Sequence, residues 1–239
     1  MTDSALPKFV QIAEFLIREI ASGRLIDGAR LAPERDMAGE LGVSVGTLRK
    51  ALAELEKKGL LERVQGSGNY IRHGTRHGTR NGVVEDSVYA MFRLELHAGG
   101  GLPGAEVIGV AHCAKPADLP PFGTAGRASR IRRLRTLNGT PVAVEEIWLD
   151  GDSGVVTAAG LSESLYHHYR THLGLWIARV EDRVGIGPVP DWTPPALALA
   201  PGTVTGHVER RGWAEAPHPV EYSRTWFDTT RSAYVQRVK

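Results

Sequence analysis

Two arginines with alternate spacing, Arg133 and Arg135, lie in a segment with the composition of a β-strand. Because successive side chains of a strand point to opposite faces, this spacing places both guanidinium groups on one face. Two such groups suit a carboxylate, sulfonate or phosphate, since each presents a planar fork of N–H donors. An exposed basic edge that prevents aggregation would show the same spacing. The pattern therefore predicts an anion site or a solvated edge.

Nearby segments supply side chains that would complete an anion site. Glu145 and Glu146 are adjacent in a second predicted strand, so only one of them can face a pocket. Ser164 and Tyr166 stand near the start of a short amphipathic segment, whose first helical N–H groups would favour an anion. Internal salt bridges without a ligand are the alternative interpretation.

A separate group of residues near the N-terminus has the chemistry of a DNA contact. Ser44 is placed to cap a helix, and Leu48, Leu52 and Leu55 form the inner stripe of that helix. Its first turns carry the polar and cationic side chains that reach base edges and phosphates. These candidate residues are Ser44, Val45, Gly46, Thr47, Arg49 and Lys50. A solvated helix face is the alternative.

The elements around this helix predict a winged helix-turn-helix. An amphipathic stripe of Phe9, Ile12, Leu16 and Ile20 indicates a first helix, and a second should begin near Pro33. After the third helix, a glycine-rich tip between two short apolar runs indicates a hairpin. In such a fold the third helix enters the major groove. The hairpin tip, with Gln65 and Gly66, would approach the sugar-phosphate backbone.

The pattern changes after a tandem HGTR repeat. Residues 73–84 have the composition of a linker, so we expect a DNA-binding domain at 1–72 and a second domain at 85–239. The second domain shows period-two segments and few helices, which predicts an α+β fold around an antiparallel sheet. The predicted strands are 89–97, 105–113, 129–137, 142–149, 176–185, 204–213, 220–227 and 233–238, and the predicted helices are 161–173 and 193–200.

Composition excludes several classes of protein. The chain has 239 residues, a net charge of +2 and one cysteine, so an internal disulfide is impossible. We expect no signal peptide, no membrane span and a cytoplasmic location. His73 with His77, and His168 with His172, have the spacing of a metal pair. Glycines oppose a helix at the first pair and a solvated helix face explains the second, so no metal and no cofactor is expected.

The N-terminal segment resembles the DNA-binding domain of the GntR family. The resemblance covers residues 8–72 and is carried by the run LAPERDMAGELGVSVGTLRKALAELEKKGLLERVQGSGNYI. It implies that Arg35, Ser44, Thr47, Arg49 and Gly66 contact operator DNA. The segment departs from the family at Val45, where an arginine is usual, and at Ala32-Pro33, where Pro-Ser is usual.

The second domain resembles the effector-binding domain of the HutC subfamily of GntR regulators, called the UTRA domain. The likeness covers residues 85–237 and rests on RLRTLNGTPVAVEEIWL, SESLYHHY and PVEYSRTWFDTTR. It implies a fold similar to chorismate lyase. It also implies ligand-binding roles for Arg133, Arg135, Glu145, Ser164, Tyr166 and Glu221. Phe227 falls where members that bind amino-sugar phosphates use a tyrosine, which argues against such a ligand.

Together these features predict a DNA-binding transcription regulator, a repressor of a catabolic or transport operon. It would bind a palindromic operator as a homodimer, and a sugar phosphate, sulfonate or carboxylate would modulate its affinity. Two alternatives remain open. One is an enzyme of lyase-like fold acting on a small anion, which turnover would reveal. The other is a DNA-binding protein with an inert second domain, whose DNA affinity no ligand would change.

Overall fold

The computed structural model describes residues 7–21, 24–72, 92–159, 161 and 164–237. The chain divides into two units, and each has its own fold. The first unit has its described residues between 7 and 93 and from 235 onward, and the second spans Leu94–Tyr234. The predicted linker at 73–84 and the histidine pair within it lie outside the described residues.

The first unit contains three helices and a hairpin, as the sequence predicts. The elements are α1 (Lys8–Ala21), α2 (Glu34–Glu40), α3 (Val45–Lys57), β1 (Leu61–Val64) and β2 (Gly68–Ile71). The apolar stripes of α1 and α3 form its core, where Ile12, Leu48, Leu52 and Leu55 are completely buried. Removing these side chains from water is the main force that holds the three helices together.

Local capping explains where the helices begin. The Oγ of Ser44 accepts a hydrogen bond of 3.1 Å from the backbone N–H of Thr47, so Ser44 caps α3 as predicted. Pro33 occupies the cap position of α2, one residue before the helix, and no side chain caps that helix. At the hairpin tip Gly66 and Gly68 have positive φ values of 76° and 129°, a conformation that glycine adopts without strain.

The second unit is built on a six-stranded antiparallel sheet in the order β4-β5-β6-β9-β8-β7, with a separate two-stranded ribbon of β3 and β10. The strands are β3 (Leu94–Leu96), β4 (Pro103–Ala114), β5 (Arg127–Leu137), β6 (Thr140–Asp150), β7 (Arg179–Pro188), β8 (Val204–Trp213), β9 (Glu221–Phe227) and β10 (Ser232–Tyr234). Each predicted strand overlaps one of these, and the predicted α+β class is confirmed.

Helical structure in this unit is shorter than predicted. In place of one helix over 161–173, α4 (Leu165–His168) makes a single turn and continues as a wider π-helical turn over Tyr169–Leu173. The predicted helix at 193–200 is a 3₁₀ turn over Pro195–Leu197. Pro194 and Pro195 have no backbone N–H, and Ala198 ends the turn in the left-handed region at φ 60°. Within the described ranges no helix has the length and apolarity of a membrane span.

The six-stranded sheet has two distinct faces, and strand register assigns each residue to one of them. Ile131, Ile147 and Leu149 pack with Leu165 and Tyr169 of the helical segment, and we call this side the helix face. The opposite face carries two separate clusters, Trp148 with Tyr222 and Phe122, and Val144 with Trp226 and Leu197. Directly paired residues of antiparallel strands share a face. The register therefore shows on which face of the sheet each remaining side chain lies.

We expect Gly206→Ala to destabilise the second unit. Gly206 pairs with Phe227, and a methyl group added there would lie 2.3 Å from Cζ of the buried phenyl ring. Overpacking of this kind costs about 1–3 kcal/mol. Urea unfolding measures the change, with Gly185→Ala on β7 as the control, since nothing lies within 4 Å of the methyl group there. Equal stability of the two variants would contradict the packing described here.

Candidate DNA interface and ligand pocket

The start of α3 presents the side chains that the sequence analysis selected for DNA contact. Ser44, Gly46, Arg49 and Lys50 are exposed, whereas Val45 and Thr47 are half-buried. Arg35 is exposed on α2. The stripe of α3 that includes Leu48 faces the core, so the exposed residues form a surface that an incoming duplex can reach.

Arg49 is held by a carboxylate of the neighbouring helix. Its Nε donates to Oε2 of Glu34 at 2.6 Å, and this ion pair lowers the pKa of Glu34. The Arg49 side chain is still 64% exposed. Exposed pairs contribute about 0.2–1 kcal/mol, less than the about 1–3 kcal/mol of a good base contact. Glu34 therefore positions Arg49 without preventing it from reaching DNA.

The hairpin tip lies beside the start of α2. Gln65 and Gly66 are exposed, and the tip borders a concavity of about 510 Å³ that Arg30, Pro33 and Arg63 also line. Arg63 donates to the backbone carbonyl of Arg49 at 3.2 Å, which links β1 to α3. The hairpin and the start of α3 are thus joined in one basic surface.

On the helix face of the sheet, the two alternate arginines lie together as predicted. Nη2 of Arg133 is 2.6 Å and Nη1 of Arg135 is 3.4 Å from Oε1 of Glu145. Both arginines are buried, at 4% exposure. Burial alone would raise the pKa of Glu145, but attraction to the two guanidinium groups outweighs it and lowers that pKa. The solvated-edge interpretation of these arginines is therefore wrong.

Glu221 enters the same face from β9. The hydroxyl of Tyr166 donates to Oε1 of Glu221 at 2.9 Å, and the Tyr169 hydroxyl faces the carboxyl without ordinary hydrogen-bond geometry. Burial raises the pKa of Glu221, and the two tyrosines with Arg133 and Arg210 offset this effect only in part. Burial also raises the pKa of both tyrosines, so both hydroxyls stay neutral, and that of Tyr166 acts as a donor.

Four residues of this cluster were missed by the sequence analysis: Tyr169, Arg210, Asp182 and Tyr234. Nε and Nη2 of Arg210 donate to Oδ1 and Oδ2 of Asp182 at 2.6 and 2.7 Å, and the Tyr234 hydroxyl donates to Oδ2 at 2.6 Å. Period-two alternation puts Arg210 and Arg211 on opposite faces but does not say which one faces inward. That choice depends on the pairing of Asp182 with Arg210, which only the fold reveals.

Ser164 and Phe227 frame the cluster. Ser164 is buried and its Oγ accepts from the N–H of His167 at 3.3 Å, so the hydroxyl caps the helix that carries Tyr166. Phe227 pairs with Ala143, which in turn pairs with Arg135. All three therefore lie on the helix face, and Phe227 supplies an apolar wall.

A second arginine–glutamate cluster occupies the opposite face. Nε of Arg132 and Nη2 of Arg224 each donate to Glu146 at 2.7 Å, and Nε1 of Trp148 donates to the same carboxylate at 3.1 Å. Burial opposes ionisation, yet these donors lower the pKa of Glu146. Glu145 and Glu146 thus face opposite sides, as predicted.

Of the two helical histidines with metal-pair spacing, His172 is exposed as predicted and His168 is not. His168 is buried at 5% exposure, and its ring stacks on His172 with centroids 4.2 Å apart. A solvated face is therefore wrong for His168, which is buried on the same helical segment as Leu165 and Tyr169. In the parts of the chain that the structure describes, no cluster of three or more His, Cys, Asp or Glu side chains could hold a metal ion.

Comparison with known proteins identifies both parts of the chain. Residues 9–71 match the family described as bacterial regulatory proteins, gntR family, and residues 100–232 match the UTRA domain. The chain is 55% identical over 241 residues to the HTH-type transcriptional regulator SmoD of Agrobacterium fabrum, covering 100% of this chain and 99% of the relative. It is 26% identical over 185 residues to the HTH-type transcriptional repressor NagR of Bacillus subtilis, covering 76% and 74%.

Two solved structures have the same fold. The possible transcriptional regulator YydK from Bacillus subtilis superposes with a TM-score of 0.51 at 22% identity, over 97% of this chain and 99% of that one. The ligand-binding domain of a putative GntR-family regulator from Bordetella bronchiseptica gives 0.53 at 21% identity, over 62% and 96%. These likenesses show the fold alone. Because the family matches and the relatives are regulators and not enzymes, the chain belongs to the gntR family and is a DNA-binding transcription regulator with a C-terminal UTRA domain.

Proposed function

We propose that this regulator is a metabolite-responsive repressor of a catabolic or transport operon, acting in the cytoplasm. Residues 1–72 would bind a palindromic operator, 73–84 would link the domains, and 85–239 would bind the effector. The proposed DNA contacts are Arg35, Ser44, Val45, Gly46, Thr47, Arg49, Lys50, Gln65 and Gly66. Two relatives support a repressor role: NagR, and the mannosyl-D-glycerate transport/metabolism system repressor MngR of Escherichia coli, 41% identical over 66 residues.

The proposed effector is a small anion: a sugar phosphate, sulfonate or carboxylate. The observation that carries this proposal is the buried pair of Arg133 and Arg135, two adjacent guanidinium groups that both contact the carboxylate of Glu145. An anionic group that joins them would use guanidinium forks already held in place, which lowers the entropic cost of binding. Glu145, Glu221 and Tyr166 would orient the hydroxyls or amine of the ligand. Ser164 holds the helix over it and Phe227 closes the apolar side.

A route from this pocket toward the DNA-binding domain supports regulation. Arg210 binds Asp182, and Asp182 accepts from Tyr234 on β10. β10 pairs with β3, the first strand that the structure describes after the predicted linker. A ligand that shifts Arg210 would alter the β3–β10 ribbon and so bias the arrangement of the DNA-binding domains. The ligand can change the free-energy difference between the two arrangements by no more than the difference in its binding free energy to them.

We predict that Arg49→Ala weakens operator binding while the fold is retained. A lost base contact costs about 1–3 kcal/mol, or roughly 5–150-fold in affinity. The measurement is fluorescence anisotropy on an operator selected from random DNA with the purified protein. Lys57→Ala is the matched control, because Lys57 lies at the far end of α3, is exposed, and also loses an ion pair, with Glu54 at 2.7 Å. Equal losses in both variants would exclude this docking.

We predict a homodimer formed mainly by the second domain. One winged helix reads only a few base pairs, so a specific palindrome requires two copies. Size-exclusion chromatography with light scattering at micromolar concentration should give twice the 25.9 kDa of one chain. A fragment of residues 82–239 should also be dimeric. A monomeric fragment would place the contact elsewhere, and a monomeric full chain that still binds the palindrome would contradict the proposal.

We predict that Arg133→Lys loses effector binding and retains operator binding without ligand. Lysine keeps a positive charge beside Glu145 but lacks the bidentate fork, whereas alanine would leave a buried carboxylate short of a partner. Anions are screened by thermal shift, where a ligand at 100 times its Kd stabilises by about 2.7 kcal/mol. The best anion should bind Arg133→Lys at least about tenfold more weakly in calorimetry.

The control for this experiment is Arg132→Lys. Arg132 precedes Arg133 on the same strand and pairs with a glutamate at 2.7 Å on the opposite face. The Arg132→Lys variant should bind the effector as tightly as the wild type does. If both lysine variants bind alike, the anion site does not lie on the helix face.

A further inference from the structure

Among the residues that the structure describes, the ligand cluster contains three positive and three negative groups when all are ionised. The members are the arginines Arg133, Arg135 and Arg210 and the carboxylates Glu145, Asp182 and Glu221. An effector anion adds negative charge to this balanced site. In a poorly solvated environment excess charge is costly, because interactions between charges are only weakly screened there.

The three carboxylates are not equivalent. Glu145 contacts two arginines, and Asp182 holds a bidentate pair with Arg210. Glu221 is 2% exposed and forms no ion pair within hydrogen-bond distance in the described part of the chain. Register explains this difference, since the residues directly opposite Glu221 are Leu149 on β6 and Gly212 on β8.

Few groups near Glu221 stabilise its negative charge. Tyr166 and Tyr169 face it from the helical segment, Arg210 from β8 and Arg133 from β5, whereas its neighbour Tyr222 points to the opposite face. Tyr166 satisfies Oε1, but Oε2 is buried without a hydrogen-bond partner among the described residues. A buried unpartnered oxygen is unfavourable. A proton on Oε2 removes the charge and turns this oxygen into a donor.

We propose that the effector anion binds together with a proton taken from solvent, and that Glu221 carries this proton in the complex. This inference rests on the proposed anion site. Once Glu221 is neutral, the named arginines outnumber the named carboxylates by one among the described residues, and a bound anion meets one negative charge fewer. The protonated carboxyl can also donate to an oxygen of the bound anion. Glu221 thereby sets the charge that the pocket accepts.

The sign of the pH dependence follows from linkage. Burial already raises the pKa of Glu221, and a bound anion raises it further. The affinity for an anion is therefore greatest below the pKa of the empty site. It falls about tenfold per pH unit as the pH rises from that value to the pKa of the occupied site. Above the pKa of the occupied site, the affinity for the anion is again independent of pH.

The test uses inorganic sulfate as the probe, because its charge is constant across the neutral range. Calorimetry at a fixed ionic strength, made up with chloride, gives sulfate affinity at pH values on both sides of neutrality. Repeating the titration in buffers of different ionisation enthalpy gives the number of protons taken up. The variants are Glu221→Gln and the control Glu209→Gln, whose carboxylate accepts from Tyr222 at 2.8 Å on the opposite face.

We expect wild type and Glu209→Gln to take up as much as one proton per sulfate and to bind more weakly at higher pH. Glu221→Gln should bind sulfate with no pH dependence and no proton uptake. The proposal is overturned if wild type takes up no proton, if Glu221→Gln keeps the wild-type slope, or if it no longer binds sulfate. If the variant does not fold, the absence of proton uptake by wild type still overturns the proposal. Separately, no sulfate binding to wild type, or equal binding to Arg133→Lys, contradicts the anion site itself.

Discussion

The register between β5 and β6 is the constraint on which the ligand site depends. It sets Arg133 opposite Glu145 on the helix face and, one residue away, Arg132 opposite Glu146 on the other. A slip by one residue would exchange the faces of every side chain on the strand. Each buried arginine would then lose its carboxylate, which costs several kcal/mol. Ion pairs on both faces therefore specify the register that assembles the charged cluster of the helix face.

The two arginine–glutamate clusters show why only one is suited to a ligand. Glu146 is bound by two arginines and a tryptophan, so its acceptor capacity is used by the protein itself. On the helix face the two arginines meet one glutamate, and a second glutamate, Glu221, is bound mainly by tyrosine. A single turn of helix covers that face, which leaves Glu145 13% and Arg210 17% exposed. Arg132 and Arg224 on the opposite face are each 25% exposed, so charge and not exposure distinguishes the two sides of the sheet.

Local patterns predicted much of the fold. Period-two alternation located each described strand of the second domain and placed Glu145 and Glu146 on opposite faces, because side chains alternate along any strand. The capping role of Ser44 was predictable for the same reason, because its partner Thr47 is only three residues away. Properties that join distant segments were not predictable: the pairing of Asp182 with Arg210, the contact of Glu34 with Arg49, and the burial of His168. The predicted helix lengths were wrong at two places. Prolines interrupt the regular hydrogen bonding of one segment, and a π-helical turn replaces it in the other.

The central claim is that occupancy of the helix-face pocket changes DNA binding. The most direct test is the operator affinity of the full-length protein with and without a saturating anion from the ligand screen. Ionic strength must be constant, because release of counterions from DNA makes affinity depend on salt. The account predicts that the two affinities differ by about 5–150-fold, the usual range of allosteric coupling. Identical affinities with the ligand demonstrably bound would show that the pocket does not regulate the DNA-binding domain.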